Sequence, residues 1–181
     1  MELLLRRAGL QLLVLLLALV GMGDAIYLTI VHYQDAPLVC PASGAIDCAH
    51  VLSSSYAVVP GTTLPISLPG LGWCLILAGL ALVSLLRPTE PGWLRPAQFF
   101  WSLAGIVTVL YLVYVELVRL HAICLWCTVL HVLILVAFLI SLARLLEPEP
   151  ETEAGTSQPP SSASSSTRLA RSHPRSSHSG R

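Results

Sequence analysis

Apolar residues crowd into four stretches of this chain, and polar residues collect between and after them. The apolar runs cover residues 8–31, 70–86, 97–118 and 122–143. A helix needs about 20 apolar residues to cross the hydrocarbon of a bilayer, with about 17 as the short limit. All four runs qualify, so the pattern predicts an all-α integral membrane protein, a four-transmembrane-helix bundle. The first run follows Arg6 and Arg7, much as a secretory signal would, and Gly21–Ala25 could pass for a cleavage site. Because the run resumes through Ile26–Val31, a retained helix is expected. Asp24 is its one charge, and its place toward the outer end predicts a side chain that reaches the headgroups.

Residues 32–69 are more polar and form the one sizeable loop between spans. Pro41 and Gly44 argue against regular structure there. The stretch Thr62–Gly70 is interrupted by prolines and is expected to lie along the membrane surface as an extracytoplasmic lid. The connection Arg87–Pro96 is tight, with Trp93 as an interface anchor. Glu116 and Arg119, three apart at the end of the third run, predict a local ion pair. Beyond Arg144 the chain turns acidic and then rich in Ser, Pro, Arg and His. Such a segment cannot bury enough apolar surface to offset its ordering entropy. The expected division is a membrane domain over 1–145 and a disordered C-terminal tail over 146–181.

Composition sharpens this picture. Hydrophobic residues make up 55% of the 181 and charged residues only 11%, against about 25% charged in soluble domains. A net charge of zero gives no case for nucleic acid. With four spans, Arg6, Arg7, Arg87, Arg95, Arg144 and the tail arginines share one side, and Arg119 alone falls on the other. The positive-inside rule makes the crowded side cytoplasmic, with both termini. The loop carrying Cys40 and Cys48 then shares the outer face with Cys124, where disulfides persist.

The candidate chemistry lies in the cysteines: Cys40, Cys48, Cys74, Cys124 and Cys127. Cys74 sits in an apolar run and reads as a packing residue. In Cys124–Leu–Trp–Cys127, two positions three apart on a helix differ in direction by about 60°, with Cβ atoms about 5–6 Å apart. That is within reach of a disulfide. Two thiol pairs on one face can pass electrons by thiol–disulfide exchange. A mobile loop pair suits an incoming protein, and a pair at the bilayer suits a small acceptor. A bilayer molecule that takes two electrons and two protons is a quinone. Two static disulfides on a non-catalytic four-span scaffold form the rival reading. His121, Cys124, Cys127 and His131 resemble zinc ligands, but four ligands from one straight helix cannot surround a tetrahedral ion. No metal is expected.

Cys40-x7-Cys48, then Val51–Leu–Ser–Ser–Ser–Tyr56, Leu64–Pro–Ile–Ser–Leu–Pro–Gly70 and Cys124–Leu–Trp–Cys127 together resemble the vitamin K epoxide reductase family in its bacterial-type, quinone-reducing form. The resemblance covers about residues 10–145. It implies a four-helix bundle around a quinone, menaquinone or ubiquinone, in a bacterial plasma membrane. It also implies that Cys40 accepts electrons from a partner, Cys48 relays them to Cys124 through a transient bond, and Cys127 faces the quinone. Ser54 matches the family serine near the quinone, where a hydroxyl can steady a developing oxyanion. His131 stands where animal members carry Tyr and is the second candidate quinone contact. Many bacterial members carry a fused thioredoxin-like domain, so here a thioredoxin-like dithiol protein is expected to act in trans. The function expected is a thiol oxidase that supports disulfide formation, with animal-type vitamin K epoxide reduction as the alternative.

Overall fold

A backbone surrounded by hydrocarbon can satisfy its N–H and C=O groups only within itself, and each apolar run duly forms a helix. The computed structural model describes residues 2–34, 38–40, 44–87 and 90–147. Residues 148–181 of the expected tail, and Pro41, lie outside them. In chain order the elements are α1 (Glu2–Gln34), the short α2 (Cys48–Ser53), α3 (Ser67–Leu86), α4 (Leu94–Tyr114), a π-helical turn (Val115–Leu120) and α5 (Leu125–Leu146). Four segments are long and apolar enough to cross a membrane: Leu5–Gln34, Ser67–Leu86, Leu94–Leu120 and Leu125–Leu146. Among the described residues there are no strands, only isolated bridges.

Prolines punctuate these helices. α3 starts at Ser67 rather than Gly70, because Pro69 falls in its first turn, where a missing N–H costs no bond. Pro96 sits the same way in α4. α3 and α5 end where Arg87 and Glu147 become extended, each immediately before a proline that disfavours helix.

α1 packs on α3 and α5, and α4 packs on α5 and α3. Val14 and Ala18 of α1, Leu77 and Ala81 of α3, and Ala137 and Ile140 of α5 form the dry centre. The alanines let the backbones approach closely, as bundles in lipid require. Large side chains such as Leu16, Phe100, Val107 and Leu139 point outward and are exposed, a surface that suits lipid and not water.

One end of the bundle holds a buried polar cluster. Arg144, expected merely to flank the fourth span, is 3% exposed. It donates to Gln98 Oε1 at 2.9 Å and pairs with Glu90 at 2.5 Å. Glu90 also holds Arg95 at 3.1 Å and accepts from the Ser84 hydroxyl. The Gln11 and Gln98 amides meet at 2.8 Å beside Arg144. Burial pushes the Glu90 carboxyl up, but the Ser84 hydroxyl and the two guanidinium groups outweigh it and hold the carboxyl below its ordinary range. The cluster ties α1, α3, α4 and α5 together at the end away from the paired cysteines.

Candidate functional site

At the opposite end, backbone pairing brings the loop onto the start of α5. Ile123 N–H donates to Ala45 O at 2.9 Å and Asp47 N–H donates to Ile123 O at 3.1 Å. Asp47 then caps α2 by accepting from His50 N–H at 2.9 Å, the ordinary role of an N-cap aspartate. Cys48, the first residue of α2, is thereby buried beside Cys124, at 1% and 0% exposure. Leu125 N–H points at Cys48 Sγ across 3.4 Å. Cys40 is joined to Cys48, with Cα atoms 6.3 Å apart, while Cys124 and Cys127 are free thiols. A clasp holds the Cys40 arm: Trp126 Nε1–H donates to Val39 O at 3.0 Å, and the Trp126 and Tyr27 rings meet at 4.8 Å.

The C-x-x-C pair departs from the expected geometry. Cys124 is not helical; it is the extended N-cap of α5, at φ −93° and ψ 117°, and its Sγ accepts from Cys127 N–H at 3.3 Å. The bridge to the loop pulls residues 122–124 out of the helix. This puts Cys124 sulfur at a helix N-terminus, where free N–H groups favour negative charge. A hydrogen bond from the Cys127 thiol, aided by the N–H groups of Cys127 and Trp126, holds the Cys124 thiol below its ordinary range despite burial. A thiolate, not a thiol, is the nucleophile in exchange.

Cys127 faces a largely apolar cavity of about 400 Å³ between the helices, and Cys124 is not part of its wall. Ser54, Tyr56, Trp73, Glu116 and His131 also line it. The loop over residues 57–66 closes one side: Val59 N–H donates to Leu64 O and Ile66 N–H to Ala57 O, both at 2.9 Å. Ser54 donates its hydroxyl proton to Val51 O at 2.7 Å, a bond it must release to donate into the cavity. His131 is buried at 8% exposure. The sulfurs thus run in the order Cys40, Cys48, Cys124, Cys127, cavity.

Two acids depart from expectation. Asp24 does not reach the headgroups: α1 runs on to Gln34, and Asp24 is 7% exposed with neither carboxyl oxygen hydrogen-bonded. Glu116 makes no ion pair with Arg119. The wider π turn separates the two, leaving Glu116 inward at 5% exposure while Arg119 is exposed. An acid inside a membrane span was the available signal for both. Among the described residues no group of three or more His, Cys, Asp or Glu side chains is arranged to hold a metal.

Residues 12–142 match a family model described as Vitamin K epoxide reductase family. The chain belongs to the vitamin K epoxide reductase family. Among curated proteins no individual sequence matches it. The matched span takes in all five cysteines and the cavity wall. Membership of the vitamin K epoxide reductase family makes the chain a membrane oxidoreductase whose disulfide chemistry is linked to quinones. The cavity fits such a group: its volume is within the usual range for small-molecule sites, about 300–1,000 Å³. Its few polar residues, among them Ser54, Tyr56 and His131, can meet the carbonyl oxygens of a flat apolar ring.

Proposed function

We propose that this protein is a quinone-dependent thiol oxidase of the bacterial type, oxidising a thioredoxin-like dithiol protein in trans. The observation that carries this reading is the continuous order of sulfurs from the half-buried Cys40 to the cavity wall at Cys127. A partner thiolate attacks the Cys40–Cys48 disulfide at Cys40, and the partner's second thiol resolves the mixed disulfide. The partner leaves oxidised and the loop pair is left as a dithiol. Cys48 then attacks Cys124 of the closed Cys124–Cys127 pair, releasing Cys127. Cys40 resolves the Cys48–Cys124 bond and restores the loop disulfide. Two electrons now rest on Cys124 and Cys127 beside the cavity, the arrangement described above. A quinone, when bound, supplies an acceptor for two electrons and two protons. Ser54 and His131 bind its ring, and the apolar wall excludes water.

The arginine distribution supports an orientation with both termini in the cytoplasm and the cysteine end outside. Residues 1–145 act as one membrane redox domain in this scheme.

Purified protein, a reduced thioredoxin-like protein and quinone absorbance test the scheme. Cys127→Ala abolishes quinone reduction. Cys40→Ala stops turnover with the protein partner but spares a small dithiol that reduces Cys124–Cys127 directly. Ser54→Ala raises KM for quinone or lowers the rate. Unchanged protein-partner oxidation in Cys40→Ala refutes the relay order, and a biological role that survives replacement of all four paired cysteines leaves only a scaffold.

A further inference from the structure

Oxidising a dithiol releases two protons that the cavity must absorb, and the sulfurs alone do not say where they go. Glu116 is the carboxyl in the cavity wall. It is 5% exposed and makes no salt bridge among the described residues. The backbone N–H of Cys124 approaches its carboxyl, so it lies beside the residue whose sulfur opens and closes.

The local backbone is built to put it there. The π turn Val115–Leu120 interrupts an otherwise α-helical span, and such turns inside α-helices recur at functional sites. The turn ends on His121 in the left-handed region at φ 52°, an uncommon conformation for a residue other than glycine. Ala122 N–H then donates to Glu116 O at 3.1 Å. A regular helix would satisfy the backbone without either irregularity. What the irregularities achieve is an inward Glu116 beside an extended Cys124.

We propose that Glu116 is the proton shuttle between the Cys124–Cys127 dithiol and the quinone, a role that rests on the thiol-oxidase reading above. As the S–S bond forms, the electron pair passes to the quinone. Glu116 takes the proton of one thiol, delivers it to a quinone oxygen, and then does the same for the second. The pair ends as a disulfide, the quinone as quinol, and the carboxyl as it began. Other titratable groups around the cavity are His32 of α1, Tyr56 of the loop, and Cys127 and His131 of α5. Asp24 is not in the cavity wall. α3 contributes none to the wall. Arg119 is exposed and not in the wall. Glu116 is distinguished from the rest as a buried carboxyl in that wall.

Glu116→Gln keeps the side-chain shape and an oxygen for the Cys124 N–H, but it cannot carry the proton. Positioned acid–base groups contribute about 10²–10⁴-fold, so kcat for quinone reduction falls at least about 100-fold with KM for quinone unchanged. The rate also loses the pH limb that belongs to Glu116, and Glu116→Asp recovers part of the loss. A second readout needs no quinone: the thiolate ultraviolet absorbance of the reduced protein, titrated with pH. Removing a neighbouring carboxylate shifts that titration to lower pH; a Glu116 that is remote from the thiols, or that stays neutral throughout, leaves it unmoved. If wild type turns over and Glu116→Gln matches it in rate and pH profile, the shuttle is refuted while the thiol oxidase stands. The shuttle also falls if the titration does not move, even where Glu116→Gln folds poorly. A wild type inert toward quinone removes the underlying reading, and the shuttle with it.

Discussion

Gly105→Ala tests whether the cavity wall is as tightly set as its contacts require. A Cβ at Gly105 would lie 2.6 Å from Trp73 Cζ2, 2.8 Å from Cε2 and 3.0 Å from Nε1. Carbon atoms pack at about 3.5–4.0 Å, so the indole must retreat by roughly 1 Å. It is not free to do so. Trp73 Nε1–H donates to Trp101 O and Trp101 Nε1–H to Trp73 O, each at 3.1 Å. Alanine in a helix gains about 0.5–1 kcal/mol over glycine. Against this, overpacking costs about 1–3 kcal/mol and a broken hydrogen bond about 1 kcal/mol. The clash wins, with a net loss of about 1–3 kcal/mol. At about 2–4 °C per kcal/mol for a chain of this size, thermal unfolding in detergent should fall by about 2–12 °C. Trp73 and Trp101 both line the cavity, so KM for quinone rises as well. Trp73→Phe removes the opposing atoms, and the double variant should recover about 1 kcal/mol relative to the sum of the singles. Gly79→Ala, which meets nothing within 4 Å, is the control and should not destabilise. An unchanged melting temperature and KM in Gly105→Ala, or strict additivity with Trp73→Phe, would refute the packing account.

Glu90→Gln leaves Arg144 and Arg95 without their shared carboxylate and should cost about 3–5 kcal/mol, read by thermal unfolding. Because Glu90 is held below its unfolded value, its contribution is full above the ordinary carboxylate range and is lost as pH falls through the folded value. Wild type should therefore lose stability in acid along a limb that Glu90→Gln lacks; parallel pH curves would discount the ion pairs. Thr62→Cys, in a chain otherwise without cysteine, should react with impermeant maleimide in intact cells, while a cysteine grafted at either terminus stays silent. The reverse pattern would invert the proposed orientation.

How much of this could be read from the residues depends on the range of the interaction. Crossing hydrocarbon is a demand on each helix separately, so length and composition sufficed for the four spans. The loop pair and the C-x-x-C pair were legible because their chemistry belongs to the residue type. The C-x-x-C spacing predicts a helical Cys124, but the bonds that draw it out of the helix tie Ile123 to Ala45 and Asp47, distant in sequence. Glu116 looked like half of a surface ion pair because an i, i+3 rule presumes a regular helix, and one π turn is enough to break it. Arg144 looked like a boundary marker, yet its partners Glu90 and Gln98 come from other parts of the chain.

Run length and residue type are enough to establish a four-span membrane protein with two candidate redox pairs, since hydrophobic length and thiol chemistry are local properties. The order of the sulfurs, the exposure of Cys127 and not Cys124 to the cavity, and the inward turn of Glu116 come from the packing of the folded chain. Those outcomes depend on which backbone groups meet across the bundle, and no period along a single strand of sequence encodes that meeting.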